Sequence, residues 1–320
     1  MKIKNIEEQE VINCPVCNSE KKKFYTQGND YEYLTCENTW KFFKCENCNL
    51  LYLDPRPHLD EINTIYPSYY YSSNYEEINF IARFGKQFLD NLKFKSFLSF
   101  LRKDEFKYLD IGCGNGRYLE VVHKKFKQKK VNCFGLEFEN NKLKELKKEG
   151  YQIFFDSIDD FVTDNKFDLI TMFHVIEHVA NPSEQIKKIY DCLSDEGVLV
   201  IETPNHQSID HILFASKYWG GYHIPRHFTV FHEHSLKKML LDNNLKILKT
   251  FFKPGHYFWQ MSLYNLVQDK YKYLGFIKNF LSPFKILGLP LLILFTVFDI
   301  IRSKFGFKTS TILLVIKKNS

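Results

Sequence analysis

The stretch from Tyr108 to Gly116 reads Tyr-Leu-Asp-Ile-Gly-Cys-Gly-Asn-Gly, and it decides the fold. Its apolar start predicts a buried strand, and its three alternating glycines predict a turn that opens a helix. Because the turn lacks most Cβ atoms and the helix start has free N–H groups, a small ligand can contact the backbone there. A dinucleotide site needs glycine at the sixth position of G-x-G-x-x-G, and this chain has Arg117 instead. The turn therefore predicts a ligand site of another kind.

Strands and helices alternate behind this turn, which predicts a parallel sheet. We expect seven strands in all, with the C-terminal strand at an edge of the sheet. The predicted strands after the turn are Val131–Phe138, Gln152–Phe155, Phe167–Phe173, Val198–Ile201, Leu245–Phe252 and Ser310–Lys317. The predicted helices are 116–126, 140–149 and 181–193.

An amphipathic helix is predicted before the first strand, over residues 78–101. It would pack across the sheet, because apolar residues recur in it at a helical period. These residues are Ile81, Phe84, Phe88, Leu92, Phe97 and Leu101.

Two Cys-x-x-Cys pairs stand near the start of the chain, Cys14 with Cys17 and Cys45 with Cys48. Turns of this kind bring four thiolates into the tetrahedron that structural zinc prefers. So small a module has little core of its own, and metal binding would supply much of its stability. We therefore predict a zinc ribbon over residues 1–60, followed by a connecting segment. With sulfur at every ligand position, the zinc would be structural.

The composition fits one large domain with a smaller module, since the chain has 320 residues and 44% of them are hydrophobic. Residues 1–13 are charged and lack the apolar core of a secretory signal, so we expect reduced thiols and a cytoplasmic location. The net charge of +6 comes from residues 270–320, which hold nine Lys or Arg and one acid, Asp299. The rest of the chain is close to neutral, which disfavours a nucleic-acid partner.

Three motifs carry a resemblance to a known family. They are D-I-G-C-G-N-G at residues 110–116, F-D-L-I-T-M-F-H-V-I-E-H-V-A-N-P at 167–182 and W-G-G-Y-H-I-P-R-H-F at 219–228. Together they resemble S-adenosylmethionine (SAM)-dependent methyltransferases grouped with the ubiquinone-biosynthesis O-methyltransferases, in a branch with an N-terminal zinc ribbon. The resemblance covers residues 105–250 well.

This resemblance implies an architecture, a methyl donor and a class of acceptor. The domain would span residues 105–320, with residues 61–104 as the connecting segment. It would be a class I methyltransferase fold, α/β with a seven-stranded, mostly parallel, Rossmann-like sheet. The methyl donor would be SAM, and the acceptor would be a small molecule.

In that fold the cofactor binds at the carboxyl ends of the central strands. Glu137 would accept the ribose hydroxyls, and Asp156 or Ser157 would meet the adenine. Asp110 would orient the glycine turn and the amino group of the cofactor. The predicted cofactor-binding residues are Asp110, Gly112, Cys113, Gly114, Asn115, Gly116, Glu137, Asp156, Ser157, Phe173 and His174.

Histidines near this predicted site offer a base for a hydroxyl acceptor, because the pKa of histidine lies near the working pH. His227 is the first candidate and His178 the second, with Glu177 beside it. In related quinone methyltransferases an E-H pair of this kind helps hold a divalent ion. Glu177 and His178 could therefore also be metal ligands, or a helix start that supports the cofactor loop.

The histidine-rich residues 206–233 are predicted to form a lid over the carboxyl edge of the sheet. Within them, Arg226 would pair either with an anionic group of the acceptor or with an acidic side chain of the chain itself. The sequence leaves these two roles open.

Residues 254–308 are predicted as an insertion between the last two strands. Within it, residues 286–298 are uncharged and flanked by basic residues. The stretch is too short to span a membrane and contains Gly288 and Pro290. Two interpretations stay open: helices that pack on the core or form a homodimer face, and a membrane-surface contact through residues 275–308 against anionic lipid.

The available histidine base favours O-methylation, with C-methylation as a variant. By analogy alone, the expected acceptor is a sugar in surface polysaccharide or glycolipid synthesis. The acceptor would be a small molecule or a lipid-linked sugar, and the enzyme would be cytoplasmic or peripheral on the inner face of the membrane. Two alternatives are an RNA methyltransferase that uses the ribbon to bind RNA, and a non-catalytic module that recruits partners. The near-neutral ribbon argues against the first, and the glycine turn with Glu137 argues against the second.

Overall fold

The computed structural model describes residues 4–67, 70, 90–101, 103–125 and 130–319. Its helices are α1 (Ile62–Ile65), α2 (90–98), α3 (Arg117–Lys125), α4 (Asn141–Lys148), α5 (Pro182–Cys192), α6 (Ile209–Phe214), α7 (Glu233–Asp242), α8 (His256–Lys270), α9 (Lys278–Leu281) and α10 (Leu289–Lys304). Its strands are β1 (Glu8–Gln9), β2 (Lys22–Gly28), β3 (Trp40–Cys45), β4 (Leu51–Leu53), β5 (Arg56–Pro57), β6 (Glu105–Ile111), β7 (Lys130–Glu137), β8 (Gln152–Phe155), β9 (Phe167–Phe173), β10 (Leu193–Pro204), β11 (Thr229–Val230), β12 (Leu245–Lys253) and β13 (Thr311–Lys318).

Seven strands form the central sheet, in the order β12-β13-β10-β9-β6-β7-β8. Strands β6 to β10 run parallel, and β13 runs antiparallel to both of its neighbours. The predicted seven-stranded, mostly parallel, Rossmann-like sheet is confirmed. The chain order reverses between β6 and β9, which is where ligands bind in sheets of this type. The glycine turn follows β6 and therefore lies at this point.

The last strand, β13, does not lie at an edge of the sheet, so that prediction was wrong. It lies between β10 and β12, and residues 312–316 are fully buried. An apolar run without polar alternation needs cover on both faces and a partner on each side. Strand β12, whose side chains are mostly half-buried, takes the edge instead.

Helix α2 packs on the core through Phe94 and Phe97, which are both fully buried. Leu92 is 48% exposed, so its predicted place on the buried face was wrong. Two residues along a helix turn the side chain by about 200°, and the larger ring of Phe94 takes the core side. The other predicted members of this face at positions 81, 84 and 88 lie outside the described residues.

The ribbon sheet has the order β11-β4-β3-β2, so one of its four strands comes from the segment predicted as a lid. In that pairing, Thr229 lies opposite Tyr52. Phe42 of the ribbon also stacks on Tyr222, with ring centroids 4.9 Å apart. The ribbon and residues 206–233 therefore share a sheet and a core, although the predicted domain boundaries separate them.

Residues 206–233 pack against the ribbon and helix α8, and we call them the wedge. Residues 218–231 of the wedge are buried, whereas Ile212 and Leu213 are exposed. Trp219, Tyr222 and Phe231 are at most 1% exposed. The backbone N–H of Gly220 donates to Ser262 Oγ on α8 over 2.8 Å. The aromatic part of the wedge therefore belongs to the core between the ribbon and α8, and the predicted function of residues 206–233 as a lid stays a prediction.

Arg226 fastens the wedge to the ribbon. Its guanidinium donates to both carboxylate oxygens of Asp30, over 3.1 and 2.9 Å, and to the carbonyl of Ile65 over 2.6 Å. Both side chains of the ion pair are 0% exposed. Burial alone would raise the pKa of Asp30, but Arg226 holds that pKa below its usual value. Of the two roles left open for Arg226, the structure assigns the internal ion pair.

Replacing Asp30 with Asn should strongly destabilise the protein, because it leaves a buried guanidinium without its counter-charge. The expected loss is about 3 kcal/mol in the free energy of unfolding, as for other broken buried pairs. Urea denaturation followed by tryptophan fluorescence measures it. The control is Asp242→Asn, which breaks the exposed pair with Lys238 and should cost less than about 0.5 kcal/mol. Equal losses in the two variants would show that the buried pair has no special weight.

Candidate functional site

Four cysteines converge at the end of the ribbon, as predicted. The Sγ atoms of Cys14 and Cys48 are 3.6 Å apart, and those of Cys17 and Cys45 are 3.5 Å apart. All four sulfurs lie within 4.8 Å of one another. A tetrahedron with Zn–S bonds of 2.3 Å has sulfurs about 3.8 Å apart, so this cluster is compatible with a structural zinc ion.

The chemistry of the cluster also fits a cation. The hydrogen bond with Cys14 and burial both raise the pKa of the Cys48 thiol, since a second thiolate beside the first is unfavourable without a positive charge. The two turns that present the sulfurs end at Asn18 and Asn49, which adopt the left-handed conformation at φ 56° and 65°. In each turn the Asn N–H donates to the carbonyl of the first cysteine. With four sulfurs and no further ligand needed, the zinc would have a structural role.

The three glycines of the turn after β6 have positive φ, and they differ in how much space surrounds them. A Cβ at Gly112 would lie 2.3 Å from Val175, and one at Gly116 would lie 2.1 Å from Leu146. A Cβ at Gly114 would meet nothing within 4 Å. The outer two glycines therefore allow close packing, and Gly114 lies on the open side, where a ligand can approach.

Glu137 lies at the end of β7, beside this open side. Its carboxylate accepts from the backbone N–H of Gly114 over 3.0 Å and from that of Phe138 over 2.9 Å. Burial raises its pKa. A carboxylate at a strand end next to a glycine turn is suited to accept hydrogen bonds from vicinal hydroxyls of a ribose. Its predicted role thus has the geometry that it requires.

Asp110 ends β6 and is 1% exposed. One carboxylate oxygen accepts from Thr171 Oγ1 over 2.6 Å, and the other has no hydrogen-bond partner. Burial raises the pKa of Asp110 to about 7. A buried acceptor without a partner is costly, so this atom fits a site that a ligand or water completes.

Of the other predicted cofactor residues, Cys113 and Asn115 lie in the glycine turn, whereas Asp156 and Ser157 lie after β8. The side chain of Cys113 is buried in the core against Gly135, so its backbone is the part that lies in the turn. Asn115 is half-buried within the turn. Asp156 and Ser157 follow β8, where Asp156 is exposed and the Ser157 hydroxyl donates to Asp160 over 2.6 Å. Their adenine contact stays a prediction.

Phe173, at the end of β9, faces a half-buried lysine that sequence patterns did not reveal. Lys93 Nζ on α2 lies 3.5 Å from the centroid of the Phe173 ring and forms an ion pair with Glu202 at the end of β10. Burial alone would lower the pKa of Lys93, but Glu202 raises it. Glu202 was detectable as an acid near a strand end. Lys93 carried no such signal, because lysine in an amphipathic helix normally faces solvent.

The three residues predicted as catalytic lie together, although His227 comes about 50 positions after Glu177 and His178 in the sequence. Single ligand atoms of Glu177, His178 and His227 lie within 4.8 Å of one another. Glu177 is fully buried and accepts from Thr203 Oγ1 over 2.9 Å. Its other oxygen lies 4.0 Å from His227 Nε2. The cluster follows β9, beside the glycine turn, and its chemical role stays a prediction.

Hydrogen bonds to backbone carbonyls determine which ring nitrogen of each of these histidines carries the proton. His227 Nδ1 lies 2.8 Å from the carbonyl of Gly221, which can only accept, so Nδ1 carries the proton and Nε2 a lone pair. His178 Nδ1 lies 2.9 Å from the carbonyl of Arg226 and 2.8 Å from Tyr66 Oη. Burial lowers the pKa of His178 to about 4 and that of His227 well below 6.5. Both rings are therefore neutral near pH 7.

His174 joins the predicted cofactor site to the cluster. It has a left-handed backbone at φ 56°, which is uncommon for residues other than glycine and is typical of functional sites. Its Nδ1 lies 3.1 Å from Glu177 Oε1, and its Nε2 lies 3.8 Å from Glu202. Burial alone would lower its pKa, but Glu177 raises it.

The ribbon contributes an acid to this region that sequence patterns did not reveal. Glu32 Oε2 lies 2.7 Å from His223 Nδ1 and accepts from Tyr257 Oη over 3.2 Å. The opposite nitrogen of His223 lies 3.0 Å from Tyr70 Oη. His223 in turn contacts the ring of His227, with centroids 5.0 Å apart. One wall of the site is therefore built jointly by ribbon and wedge.

Comparison with known families gives one match. Residues 81–250, just over half of the chain, match the family described as Methyltransferase domain. That range includes the glycine turn, Glu137 and the Glu177 cluster.

Similar proteins include methyltransferases that act on nitrogen and on oxygen. The chain is 31% identical over 114 residues to (S)-coclaurine N-methyltransferase of Papaver somniferum, covering 33% of this chain and 32% of that one. It is 28% identical over 145 residues to the mitochondrial ubiquinone biosynthesis O-methyltransferase of Candida albicans, covering 43% of each. The chain thus spans less than half the length of these relatives. The crystal structure of coclaurine N-methyltransferase bound to N-methylheliamine and SAH aligns with a TM-score of 0.47 and 14% identity, covering 72% of this chain and 70% of that one.

Replacing Cys14 with Ser should abolish stoichiometric zinc binding, because a hydroxyl is a poor substitute for a thiolate in a site with four sulfurs. The full chain, purified without chelators, is expected to carry about one zinc per molecule. Zinc released by denaturation is measured with a colorimetric indicator. The control is Cys36→Ser, which removes a buried thiol outside the cluster and should leave the zinc content unchanged. Wild-type protein without zinc, or full zinc content in Cys14→Ser, would contradict the assignment.

Proposed function

This chain belongs to the methyltransferase domain family, and we propose that it transfers a methyl group from SAM to a hydroxyl oxygen of a small acceptor. The observation that carries the proposal is the convergence of Glu177 and His178, which follow β9, with His227 of the wedge, beside the glycine turn. Methyl transfer needs the acceptor atom held in line with the donor, and a hydroxyl also needs a group that takes its proton. The cluster supplies such groups at the expected end of the sheet.

The residues around the glycine turn fit the methyl donor. The open side of Gly114, the carboxylate of Glu137 and the unpartnered oxygen of Asp110 offer a backbone surface and two acceptors. SAM would supply a methyl group on a sulfonium centre that is already activated for displacement. What remains for the protein is to position the acceptor and to remove its proton.

His227 is the residue that we assign as the base, with His178 as the second candidate. Its Nε2 holds a lone pair at neutral pH, and Glu177 lies 4.0 Å away, where its charge would stabilise the imidazolium after proton transfer. The Gly221 carbonyl holds the ring in the required tautomer. The same three groups could instead hold a divalent ion, which would lower the pKa of a bound hydroxyl.

The class of acceptor is inferred from the polar groups of the site. Tyr66, Tyr257, Glu32 and the histidines give this region many hydrogen-bonding groups, which suit a polyhydroxylated molecule. This supports a sugar, free or lipid-linked, of the kind used in surface polysaccharide or glycolipid synthesis, with C-methylation as a variant. The relatives are named for alkaloid and ubiquinone methylation, so the sugar rests on the site's polarity alone.

The position of the ribbon favours this proposal over RNA methylation. Asp30 and Glu32 of the ribbon are engaged inside the protein with Arg226 and His223. Strand β4 pairs with the wedge as well. The ribbon thus helps to build the site, so a role in RNA binding is not needed to explain its presence. We propose a cytoplasmic enzyme that acts on small molecules.

Replacing Glu137 with Gln should weaken SAM binding by about tenfold to a hundredfold, because two charge-assisted hydrogen bonds to the ribose become neutral ones. Isothermal titration calorimetry of the full chain with SAM measures the change. The control is Glu139→Gln, two residues further on, where the side chain is 57% exposed. A wild-type protein that does not bind SAM would support the non-catalytic alternative.

Replacing His227 with Ala should lower kcat by about a hundredfold to ten-thousandfold while SAM affinity is retained. His234→Ala, at an exposed position, is the control. Because the pKa of His227 is lowered, the base stays unprotonated below pH 6.5, so wild-type kcat should change little between about pH 8 and 6.5, where an ordinary histidine would be half protonated. Turnover of labelled SAM with a sugar acceptor gives both readouts. Full activity in His227→Ala would remove the base assignment, and activity that requires added Mg²⁺ would favour the metal alternative.

A further inference from the structure

The helical insertion between β12 and β13 presents an apolar surface to the outside. On α10 the side chains that are between 42% and 60% exposed recur at helical spacing along one face. They are Ile293, Leu294, Val297, Phe298 and Ile301. Before the helix, Phe276 and Ile286 are 66% and 72% exposed, and after it Phe305 is 77% exposed. A soluble helix normally places polar residues on such a face.

The opposite face of α10 is fixed to the protein. Asp299 is fully buried and accepts from the backbone N–H of Gly255 over 3.0 Å and from Trp259 Nε1 over 3.4 Å. The ring of Trp259 also stacks on Phe295, with centroids 5.1 Å apart. The exposed face therefore cannot turn inward without breaking these buried contacts.

The helix does not cross a bilayer in this fold. Ile286–Lys304 is long and apolar enough to do so by length and composition, and only 11% of it is buried. Strands β12 and β13, which enclose the insertion, pair with each other from Leu245 to Lys253. A single crossing would place these paired strands on opposite sides of the membrane.

The charges around the apolar face identify its partner. Lys285 and Lys304 are exposed at the two ends of the helix, and among the described residues no acid forms an ion pair with either. The only acid in residues 271–308 is Asp299, on the buried face. In a symmetric dimer these lysines would meet like charges, whereas anionic lipid head groups would compensate them.

We propose that the exposed face of residues 271–308 binds in the plane of an anionic lipid bilayer and holds the protein at the membrane surface. Apolar and aromatic side chains would enter the head-group region, with the lysines against lipid phosphates. The attachment does not depend on methyl transfer. Membrane attachment would orient the site, because helix α8 contacts both α10 and the site. Trp259 of α8 stacks on Phe295 of α10. Phe258 of α8 contacts His174, and the centroids of these two rings are 6.1 Å apart. Only helix α8 would then lie between the membrane-bound helix α10 and the site, so an acceptor carried on a lipid would be close to the site.

Flotation of the purified full chain with vesicles tests the proposal. We expect binding to phosphatidylcholine vesicles that contain phosphatidylglycerol, weaker binding at high salt, and little binding to phosphatidylcholine alone. The triple variant Ile293→Ser/Leu294→Ser/Ile301→Ser should bind at least about tenfold more weakly. The double variant Lys285→Glu/Lys304→Glu should lose roughly twentyfold or more on the anionic vesicles, since each basic residue near the surface contributes about fivefold.

The matched control is Ile12→Ser/Val162→Ser/Leu241→Ser, which removes three apolar side chains of similar or greater exposure from other parts of the surface. It should float as the wild type does. Thermal unfolding of each variant confirms that it is folded. A wild type that stays out of the vesicle fraction at low salt, or a triple variant that floats like the control, overturns the proposal. Light scattering that shows a dimer which only the α10 triple variant dissociates would overturn it too, and would assign the face to a second copy.

Discussion

The fold of this protein depends on one buried guanidinium. Arg226 belongs to the wedge and is 0% exposed, and it binds Asp30 of the ribbon and the carbonyl of Ile65 in the connecting segment. A charge so enclosed is tolerated only where every donor has a partner, so the pair requires the three segments to be in register at once. The ion pair also positions His227, because His227 is the next residue in the chain.

The sequence predicted well those features that depend on neighbours in the chain. The glycine turn, the alternation of strands and helices and the spacing of the four cysteines are local patterns, and each is found where it was expected. The cluster of Glu177, His178 and His227 was also anticipated, because the family motifs mark both of its parts. Each of these features has a physical requirement that residues close together in the sequence satisfy: positive φ in the glycine turn, alternating side chains in the strands, and paired thiolates in the cysteine turns.

The features that sequence reasoning missed arise between distant segments. Pairing of β4 with β11 leaves no trace in either strand, and Glu32 gave no sign that it would meet His223. The burial of Arg226 and His227 in the wedge was not predicted either, because such residues are buried only when partners from distant segments satisfy them. The apolar run of β13 was compatible with an edge or an inner position, and only the neighbouring strands decide between them.

The shared sheet of ribbon and wedge has a consequence for how the chain is assembled. Strands β2, β3 and β4 are complete within the first 53 residues, but their fourth strand begins only at Thr229. Because a protein is synthesised from its N-terminus, the ribbon leaves the ribosome long before that partner exists. The four thiolates at positions 14 to 48 need nothing from the later chain, so a metal ion can hold the early half-sheet in shape. A metal ion bound there would keep β2, β3 and β4 in place until β11 is synthesised and pairs with β4.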